Sequence, residues 1–391
     1  MNEPVIVGYV RTPISRSRPR QPERDVFNSI RADDLAAMVI REVVKRTGID
    51  PNDIDDCIFG CANQTGEQFT YGGRMFSLLA GLPLEVPAMG VDRQCASAMS
   101  SIHIGAMEIM CGYSDVIVAG GVEHMTHIPM GHGVNPNPRA LQEEKRFDWL
   151  VAMNMGLTAE KLAEESGIPK EEQDKWALRS HQLAAKAQAE GFFKGEIIPV
   201  EVTLPDGTKK IIDTDQSVRP DTTLEKIASL PPAFKEGGII TAGNSSPLNA
   251  GAAAMVLTSK EKAKEYGLEP MATIKSMSWA AVDPSVMGKG PVPASRKVLK
   301  YAKLEVKDID FWEINEAFAI VALYAIRELG IDPDIVNVKG GGCAIGHPLG
   351  MTGTRITGTL ARILEVEDGR LGLATLCVGG GQGAATIIER E

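Results

Sequence analysis

Apolar residues occur along this chain in two patterns: short continuous runs, and longer segments in which they recur every three or four residues. A short continuous run is typical of a strand that is buried on both faces of a sheet. A three- or four-residue repeat gives an α-helix one apolar face. The predicted strands cover residues 4–10, 56–60, 86–91, 115–121, 252–258, 272–281, 335–339, 371–378 and 384–389. The predicted helices cover residues 31–48, 72–80, 95–110, 158–166, 170–190, 295–301 and 351–364, and residues 310–329 pass from a strand into a helix.

One strand–helix–strand unit occurs twice. The helix that starts at Cys95 is apolar or small almost all round, which predicts burial, and it leads into a strand that ends in Gly120-Gly121. His347 is likewise followed by a helix and by a strand that ends in Cys377-Val-Gly-Gly. Two such βαβ-rich halves would meet where the carboxyl ends of their strands form a crevice. A chance similarity between two α/β segments is the alternative.

Residues 122–247 interrupt this pattern. The stretch is charged and rich in proline, with two predicted helices, the first capped by Thr158, and a hairpin turn at Pro205-Asp-Gly207. We interpret it as an insertion into an α/β framework, of the kind that often forms lids and ligand walls.

Composition narrows the possible functions. The chain has 391 residues and a net charge of −10, which argues against broad binding to nucleic acid or to anionic membranes. We expect no signal peptide, because the N-terminus lacks a basic segment before a long apolar run, and no membrane helix, because no apolar run approaches the ~20 residues that one needs. Six cysteines do not make a disulfide scaffold in so long a chain, so we expect reduced thiols and a cytoplasmic protein. Cys57 and Cys61 lack a second pair at zinc spacing, and we expect no metal site.

Three stretches of small residues carry candidate chemistry. Cys95 lies at the predicted start of a helix, where partial positive charge lowers the pKa of a thiol, and Arg93 would add to that effect. His347 lies among glycines, and Cys377 precedes Gly379. Cys, His and Cys beside small residues are suited to acyl transfer through a thiol. A glycine-rich turn with an incidental histidine is the plain alternative.

An amide and several backbone N–H groups complete this candidate set. Asn315 could supply an amide donor to an oxyanion, and the glycines from Gly379 onward could supply backbone donors. The same glycines loosely match a dinucleotide fingerprint, but no helix follows them, as that motif requires. Glu316 is interpreted as structural.

These motifs resemble those of thiolases, in order along essentially the whole chain. The matching stretches are Arg93-Gln-Cys95, Asn315-Glu-Ala-Phe-Ala319, Gly346-His-Pro-Leu-Gly350 and Cys377-Val-Gly-Gly-Gly-Gln-Gly383, with further similarity at 156–160, 171–174, 179–182 and 241–245. The resemblance implies a five-layer αβαβα fold with an inserted loop domain over coenzyme A. We therefore divide the chain into an N-terminal half (1–121), the loop domain (122–247), a return to the first half (248–270) and a C-terminal half (271–391).

The resemblance also implies roles for individual residues. Cys95 would carry the acyl group, His347 would activate Cys95, and Cys377 would be the second acid/base. Asn315, through an ordered water, and His347 would form one oxyanion hole, and the N–H groups of Cys95 and Gly379 the other. The implied contacts of coenzyme A are Ser246 to the pantetheine arm, Arg219 near the adenine, and Met155, Phe234, Ala242 and Phe318. Coenzyme A would be a substrate, with no tightly bound cofactor.

Within the family, residues 121–130 and 287–295 resemble degradative 3-ketoacyl-CoA thiolases, and Asn154 stands where biosynthetic acetoacetyl-CoA thiolases often carry His. We therefore expect thiolysis of 3-ketoacyl-CoA, with acetoacetyl-CoA thiolase as the alternative. Residues Gly342, Cys343 and Ala250 depart from the usual family pattern. A non-catalytic acyl-CoA-binding relative would have lost one of the three reactive residues, and a ketoacyl synthase would carry His in place of Asn315. The resemblance further implies a homodimer or homotetramer, with a hydratase/dehydrogenase subunit as a possible partner.

Overall fold

A computed structural model describes residues 2–69, 71–143 and 145–391 of this chain. Its strands are β1 Pro4–Arg11, β2 Ser15–Arg16, β3 Asp56–Gly60, β4 Ala88–Val91, β5 Val116–His124, β6 Val200–Thr203, β7 Lys209–Ile212, β8 Asn249–Ser259, β9 Ala272–Ala281, β10 Phe311–Ile314, β11 Leu371–Val378 and β12 Gln382–Glu389. Its α-helices are α1 Ala32–Thr47, α2 Gly72–Leu79, α3 Ser97–Cys111, α4 Pro138–Gln142, α5 Trp149–Ala152, α6 Met155–Ser166, α7 Lys170–Ala189, α8 Leu224–Ala228, α9 Lys260–Glu265, α10 Pro291–Ala302, α11 Ala319–Leu329 and α12 Thr352–Val366.

The two halves repeat one strand order. In the first half the order is β1-β8-β5-β3-β4, and in the second it is β9-β12-β11-β10 followed by a parallel bridge at Val336. Each half has two antiparallel pairings followed by two parallel ones. The repeat inferred from the sequence is therefore a repeat of topology. Two residue pairs between β1 and β9, Val5 with Thr273 and Ile6 with Ala272, join the halves into one mixed sheet.

Helices cover both faces of this folded-over sheet. One apolar core encloses α3 and α12 between the two halves, including Met99, Ile102, Ile356 and Leu360. A second core places α1 on the outer face of the first half, and a third places α10 and α11 on the outer face of the second. The resulting order of layers is αβαβα, as expected, with the two central helices in the middle.

Two local predictions were wrong. Residues 335–339 form no strand, because a 3-10 turn at Pro333–Ile335 leaves only Val336 in position to bridge Trp312. The helix predicted from Thr158 begins a turn earlier at Met155, because the Asn154 side chain accepts hydrogen bonds from the backbone of Gly156 and Leu157. The hairpin turn was predicted correctly, and β6 and β7 flank it.

Candidate active site

Cys95 lies in a strained connection between β4 and α3. It is the middle residue of a 3-10 turn, Gln94–Ala96, and α3 begins two residues later. Gln94 has a φ of 46°, which is unusual for a residue other than glycine and is held because Asp92 Oδ1 accepts a hydrogen bond from the Gln94 N–H at 2.6 Å. The turn therefore fixes the Cys95 thiol at the N-terminal end of a buried helix.

The environment of Cys95 favours the neutral thiol more strongly than the sequence suggested. Burial raises the pKa of the Cys95 thiol to about 11, although the N–H groups of Gly379 and of Cys95 itself favour the thiolate. The expectation of a lowered pKa was therefore wrong for the free protein, because desolvation outweighs the helix terminus. Arg93 is engaged elsewhere: its guanidinium lies 4.6 Å from the centre of the Trp279 ring and donates to Ser100 Oγ at 3.0 Å.

His347 is held as a neutral base. Its Nδ1 lies 2.7 Å from Thr352 Oγ1, and that hydroxyl donates its only proton to the Pro348 carbonyl at 2.7 Å. The Thr352 oxygen can therefore only accept from Nδ1, which places the ring proton there and leaves Nε2 with a free lone pair. Nε2 is buried and has no hydrogen-bond partner in the described chain. Burial, with a contribution from Arg355, lowers the pKa of His347 to about 3.

The backbone around His347 is fixed by a residue that sequence reasoning missed. Asn249, the first residue of β8, accepts the His347 N–H at 2.8 Å and donates to the Ser15 carbonyl at 2.7 Å. Gly346 has a φ of +119°, and a Cβ there would come within 2.8 Å of the Asn249 amide. The glycine is therefore required by both its dihedral and its close neighbour. Thr352 was also missed; a hydroxyl residue one turn after a glycine-flanked His is the pattern that could have revealed it.

Cys377 and Asn315 come from two neighbouring strands of the second half. Cys377 lies at the end of β11, fully buried, and burial together with the nearby Cys95 raises its pKa well above the usual value. Asn315 directly follows β10, and both its Oδ1 and its Nδ2 are buried without a hydrogen-bond partner among the described residues. Buried amides are nearly always hydrogen-bonded, so this one is available to a ligand or to an ordered water.

Close packing of the two halves brings Cys377 and the Gly379 N–H beside Cys95. The first turns of α3 and α12 approach so closely that a Cβ on Gly353 would overlap the Met99 backbone. Strand β5 likewise approaches the loop before α12, because a Cβ on Gly121 would overlap the Gly350 carbonyl. The 3-10 turn that holds Cys95 contacts both α12 and β11. Cys95 thus comes from the first half, and His347, Asn315 and Cys377 from the second.

An apolar cavity of about 450 Å³ opens onto the thiol. Cys95 and Gly379 line it together with a mostly thioether wall made of Met125, Ile128, Met130, Met153 and Met155. We call this space the acyl cavity, and its walls come largely from the inserted region.

The residues implied in coenzyme A binding lie in several places. Arg219 and Ala242 line a separate cavity of about 260 Å³, which we call the nucleotide cavity. Phe234 and Phe318 pack edge to face with their ring centres 5.9 Å apart. Ser246 donates its backbone N–H to the Ala317 carbonyl at 3.0 Å. Met155 lines the acyl cavity, whereas Arg219 and Ala242 line the nucleotide cavity.

Glu316 is a structural carboxylate, as interpreted from the sequence. Its two oxygens accept hydrogen bonds from Trp176 Nε1, Ser180 Oγ, Asn337 Nδ2 and the Cys343 N–H. This network holds the start of the glycine-rich loop that leads to His347.

Residues 2–69, 71–143 and 145–391 lack two kinds of feature. No group of three or more His, Cys, Asp or Glu side chains is arranged to hold a metal ion there. No helix in the same residues is long and apolar enough to cross a membrane.

Comparison with known proteins gives matches over the whole chain. Residues 4–261 match the thiolase N-terminal domain, and residues 268–390 match the thiolase C-terminal domain. A 3-ketoacyl-CoA thiolase of Marinobacter nauticus is 46% identical over 391 residues, covering 99% of this chain and 98% of that protein. Another from Marinomonas is 45% identical over 394 residues, covering 100% and 98%.

Solved structures match equally completely. The acetyl-CoA acetyltransferase of Bacillus anthracis superposes with a TM-score of 0.89 at 41% identity, over 100% of this chain and 99% of that one. Human mitochondrial 3-ketoacyl-CoA thiolase superposes with a TM-score of 0.90 at 35% identity, with the same coverage.

Proposed function

The chain belongs to the thiolase family, and we propose that it catalyses the cleavage of 3-ketoacyl-CoA by coenzyme A to acetyl-CoA and a shortened acyl-CoA. The proteins that are 45–46% identical over its whole length are 3-ketoacyl-CoA thiolases, which supports this direction over the condensation of two acetyl-CoA. The observation that carries the proposal is the buried Cys95 thiol at the end of an apolar cavity, beside the Gly379 N–H.

The first half of the proposed reaction forms an acyl-enzyme. His347 Nε2 takes the Cys95 proton as the sulfur attacks the 3-keto carbon, and the N–H groups of Cys95 and Gly379 stabilise the resulting oxyanion. The C2–C3 bond then breaks, and Cys377 gives its proton to C2 of the departing acetyl-CoA. A thiol with a raised pKa suits that last step, because it remains protonated until the carbanion forms.

The second half returns the enzyme to its starting state. The thiol of coenzyme A gives its proton to the Cys377 thiolate and attacks the acyl group on Cys95, and the released Cys95 sulfur regains its proton from His347 as acyl-CoA forms. Asn315, through a water, and His347 would stabilise the thioester enolate oxygen in the first half. The unpartnered amide of Asn315 supports this role. Coenzyme A acts here as a substrate, without a tightly bound cofactor.

The acyl cavity supports substrates longer than acetoacetyl-CoA. Flexible methionine side chains can accommodate acyl tails of different lengths, and the cavity lies within the volume range of small-molecule sites. Each buried methylene could add about 0.8 kcal/mol of binding, so two would raise kcat/KM about tenfold. We would measure thiolysis from C4 to C12. A maximum at C4 with a steep fall by C6 would instead identify an acetoacetyl-CoA thiolase.

For coenzyme A binding we propose Arg219 and Ala242 at the adenine end, Ser246 on the pantetheine arm, and Met155, Phe234 and Phe318 along it. The nucleotide cavity supports the first pair. The division into two halves with a loop domain at 122–247 is retained in this proposal, since that region supplies walls to both cavities.

We further propose a cytoplasmic homodimer or homotetramer that acts in fatty-acid β-oxidation, alone or with a hydratase/dehydrogenase subunit. The edge strand β4 supports self-association, because it ends the sheet and lies beside exposed apolar side chains: Leu78, Leu79, Leu84 and Met89. Light scattering would give the mass in solution, and a monomer would contradict the proposal.

A further inference from the structure

Unpaired arginines gather beside the nucleotide cavity of this acidic chain. Arg16, Arg18 and Arg20 alternate along one short segment, which we call the arginine segment, and Arg219 lies near it. In the part of the chain that the structure describes, none of these four guanidinium groups forms an ion pair. The chain has a net charge of −10 and therefore more carboxylates than basic side chains. Four arginines that lie together without an ion pair are consequently suited to binding an external anion.

The arginine segment forms the wall of a cavity of its own. This space of about 450 Å³ is lined by Arg16, Arg18, Arg20 and Leu248, among others. Arg16 also lines the nucleotide cavity with Arg219, so one side chain belongs to both spaces. A ligand that occupied the nucleotide cavity would therefore reach the arginine segment through Arg16.

The backbone of the segment is fixed. Arg16 pairs with Asn249 through β2 and β8, the Ser17 N–H donates to the Leu248 carbonyl at 2.8 Å, and the Arg18 N–H donates to Thr126 Oγ1 at 2.8 Å. These bonds hold neighbouring positive charges close together. The Asp25 carboxylate accepts hydrogen bonds from Ser17 Oγ at 3.4 Å and Thr126 Oγ1 at 2.5 Å, but it forms no ion pair with the arginines of the described segment. The cost appears at half-buried Arg16, whose pKa is lowered to about 10 by burial and by Arg18, Arg219 and Arg24. Asp221 lines the nucleotide cavity, but its carboxylate lies 3.5 Å from Lys226 Nζ.

We propose that the arginine segment binds the 3′-phosphate of coenzyme A, an inference that rests on the proposed function. Coenzyme A carries a phosphate monoester on the ribose beside the adenine, and a monoester has close to two negative charges at neutral pH. Guanidinium groups match phosphate oxygens in a bidentate fashion. With the adenine near Arg219 and Ala242, the ribose 3′ position would face the wall that Arg16 shares with the arginine segment. The segment thus selects coenzyme A over dephospho-CoA.

The test compares thiolysis by coenzyme A and by 3′-dephospho-CoA in the wild type and in the double variant Arg18→Gln/Arg20→Gln. Both side chains are at least partly exposed, so their replacement spares the core. We expect the wild type to favour coenzyme A in kcat/KM by about tenfold or more, and the double variant to bring the ratio of the two values to about one. Arg296→Gln is the matched control, because Arg296 is an exposed arginine 3.7 Å from Glu328 and lines neither cavity. It should keep the wild-type ratio.

A competition assay separates the 3′-phosphate from other sources of phosphate. Adenosine 3′,5′-bisphosphate should compete with coenzyme A in the wild type about tenfold better than adenosine 5′-monophosphate, and inorganic phosphate should compete poorly. An equal ratio in wild type and double variant, or equal inhibition by the two nucleotides, would overturn the subsite while leaving thiolysis intact. An absence of thiolysis with either thiol would instead overturn the proposed function.

Discussion

The hydrogen bond between Thr352 and His347 gives the sharpest test of the proposed chemistry. Replacing Thr352 with Val keeps the shape of the side chain but removes the oxygen that accepts the Nδ1 proton at 2.7 Å. The buried N–H then loses its partner, at a cost of about 1–3 kcal/mol. The imidazole can recover part of that cost by moving its proton to Nε2, which removes the lone pair that Cys95 requires.

The loss should appear in acylation. A penalty of about 1.4–2.8 kcal/mol on the active tautomer corresponds to a fall of about 10- to 100-fold in rate. Rapid-quench measurement of acyl transfer from 3-ketohexanoyl-CoA to Cys95, in a single turnover without added coenzyme A, isolates this step. Thr352→Ser is the matched control, because it retains the hydroxyl and should remain within about threefold of wild type.

A tautomer measurement distinguishes this positioning role from general damage to the fold. Nitrogen-15 shifts of the His347 ring should show a protonated Nδ1 in wild type and in Thr352→Ser, and a shift of the proton toward Nε2 in Thr352→Val. If Thr352→Val acylated as fast as Thr352→Ser, the reasoning from this hydrogen bond would be refuted.

Three further outcomes are expected. Incubation with acyl-CoA should add an acyl mass to the peptide that contains Cys95, as measured by peptide mass spectrometry, and a label on Cys377 instead would contradict the assignment of the nucleophile. The variant Cys95→Ser should lose most of the thiolase activity. Alkylation of Cys95 by iodoacetamide in the free protein should rise with pH up to about 11, the raised pKa of its thiol, whereas a plateau between pH 5 and 8 would indicate a pre-formed ion pair with His347. Burial lowers the pKa of His103 to about 3, whereas the same histidine in the unfolded chain has a pKa near 6.5. Between pH 6.5 and pH 3 the unfolded chain therefore binds more protons than the folded one, and the free energy of unfolding falls as the pH falls. His103→Gln should reduce the slope of unfolding free energy against pH by about 1.4 kcal/mol per unit in that range, as measured by urea denaturation, and an unchanged slope would count against the burial effect.

The sequence was sufficient for elements whose pattern is local. The strand at Asp56–Gly60 and the strand at Ala272–Ala281 were predicted to the residue, because apolar runs with clear breaks define them. The prediction of a strand at 335–339 was wrong, because a 3-10 turn that Pro333 favours includes Ile335. Helix bounds near Thr158 moved because a side-chain amide four residues earlier caps more effectively than the hydroxyl.

In the candidate site, some residues could be predicted from the sequence and others could not. Stretches of small residues indicated Cys95, His347 and Cys377, because such stretches are visible without a structure. The rise in the pKa of Cys95 could not be predicted from the sequence, because burial causes it. That burial arises only when two helices that are distant in the sequence pack together. Asn249 and Thr352 were missed for the same reason: each is an ordinary polar residue until the fold places it against His347.

The two residue pairs that join β1 to β9 have a consequence for fragments of this protein. In the proposed mechanism the nucleophile Cys95 belongs to one topological copy and its base His347 to the other, so we expect neither copy by itself to catalyse thiolysis. The shared strand order is what duplication of an ancestral half would leave. We therefore expect separately produced fragments 1–267 and 268–391 to restore thiolysis only when the central helices α3 and α12 dock.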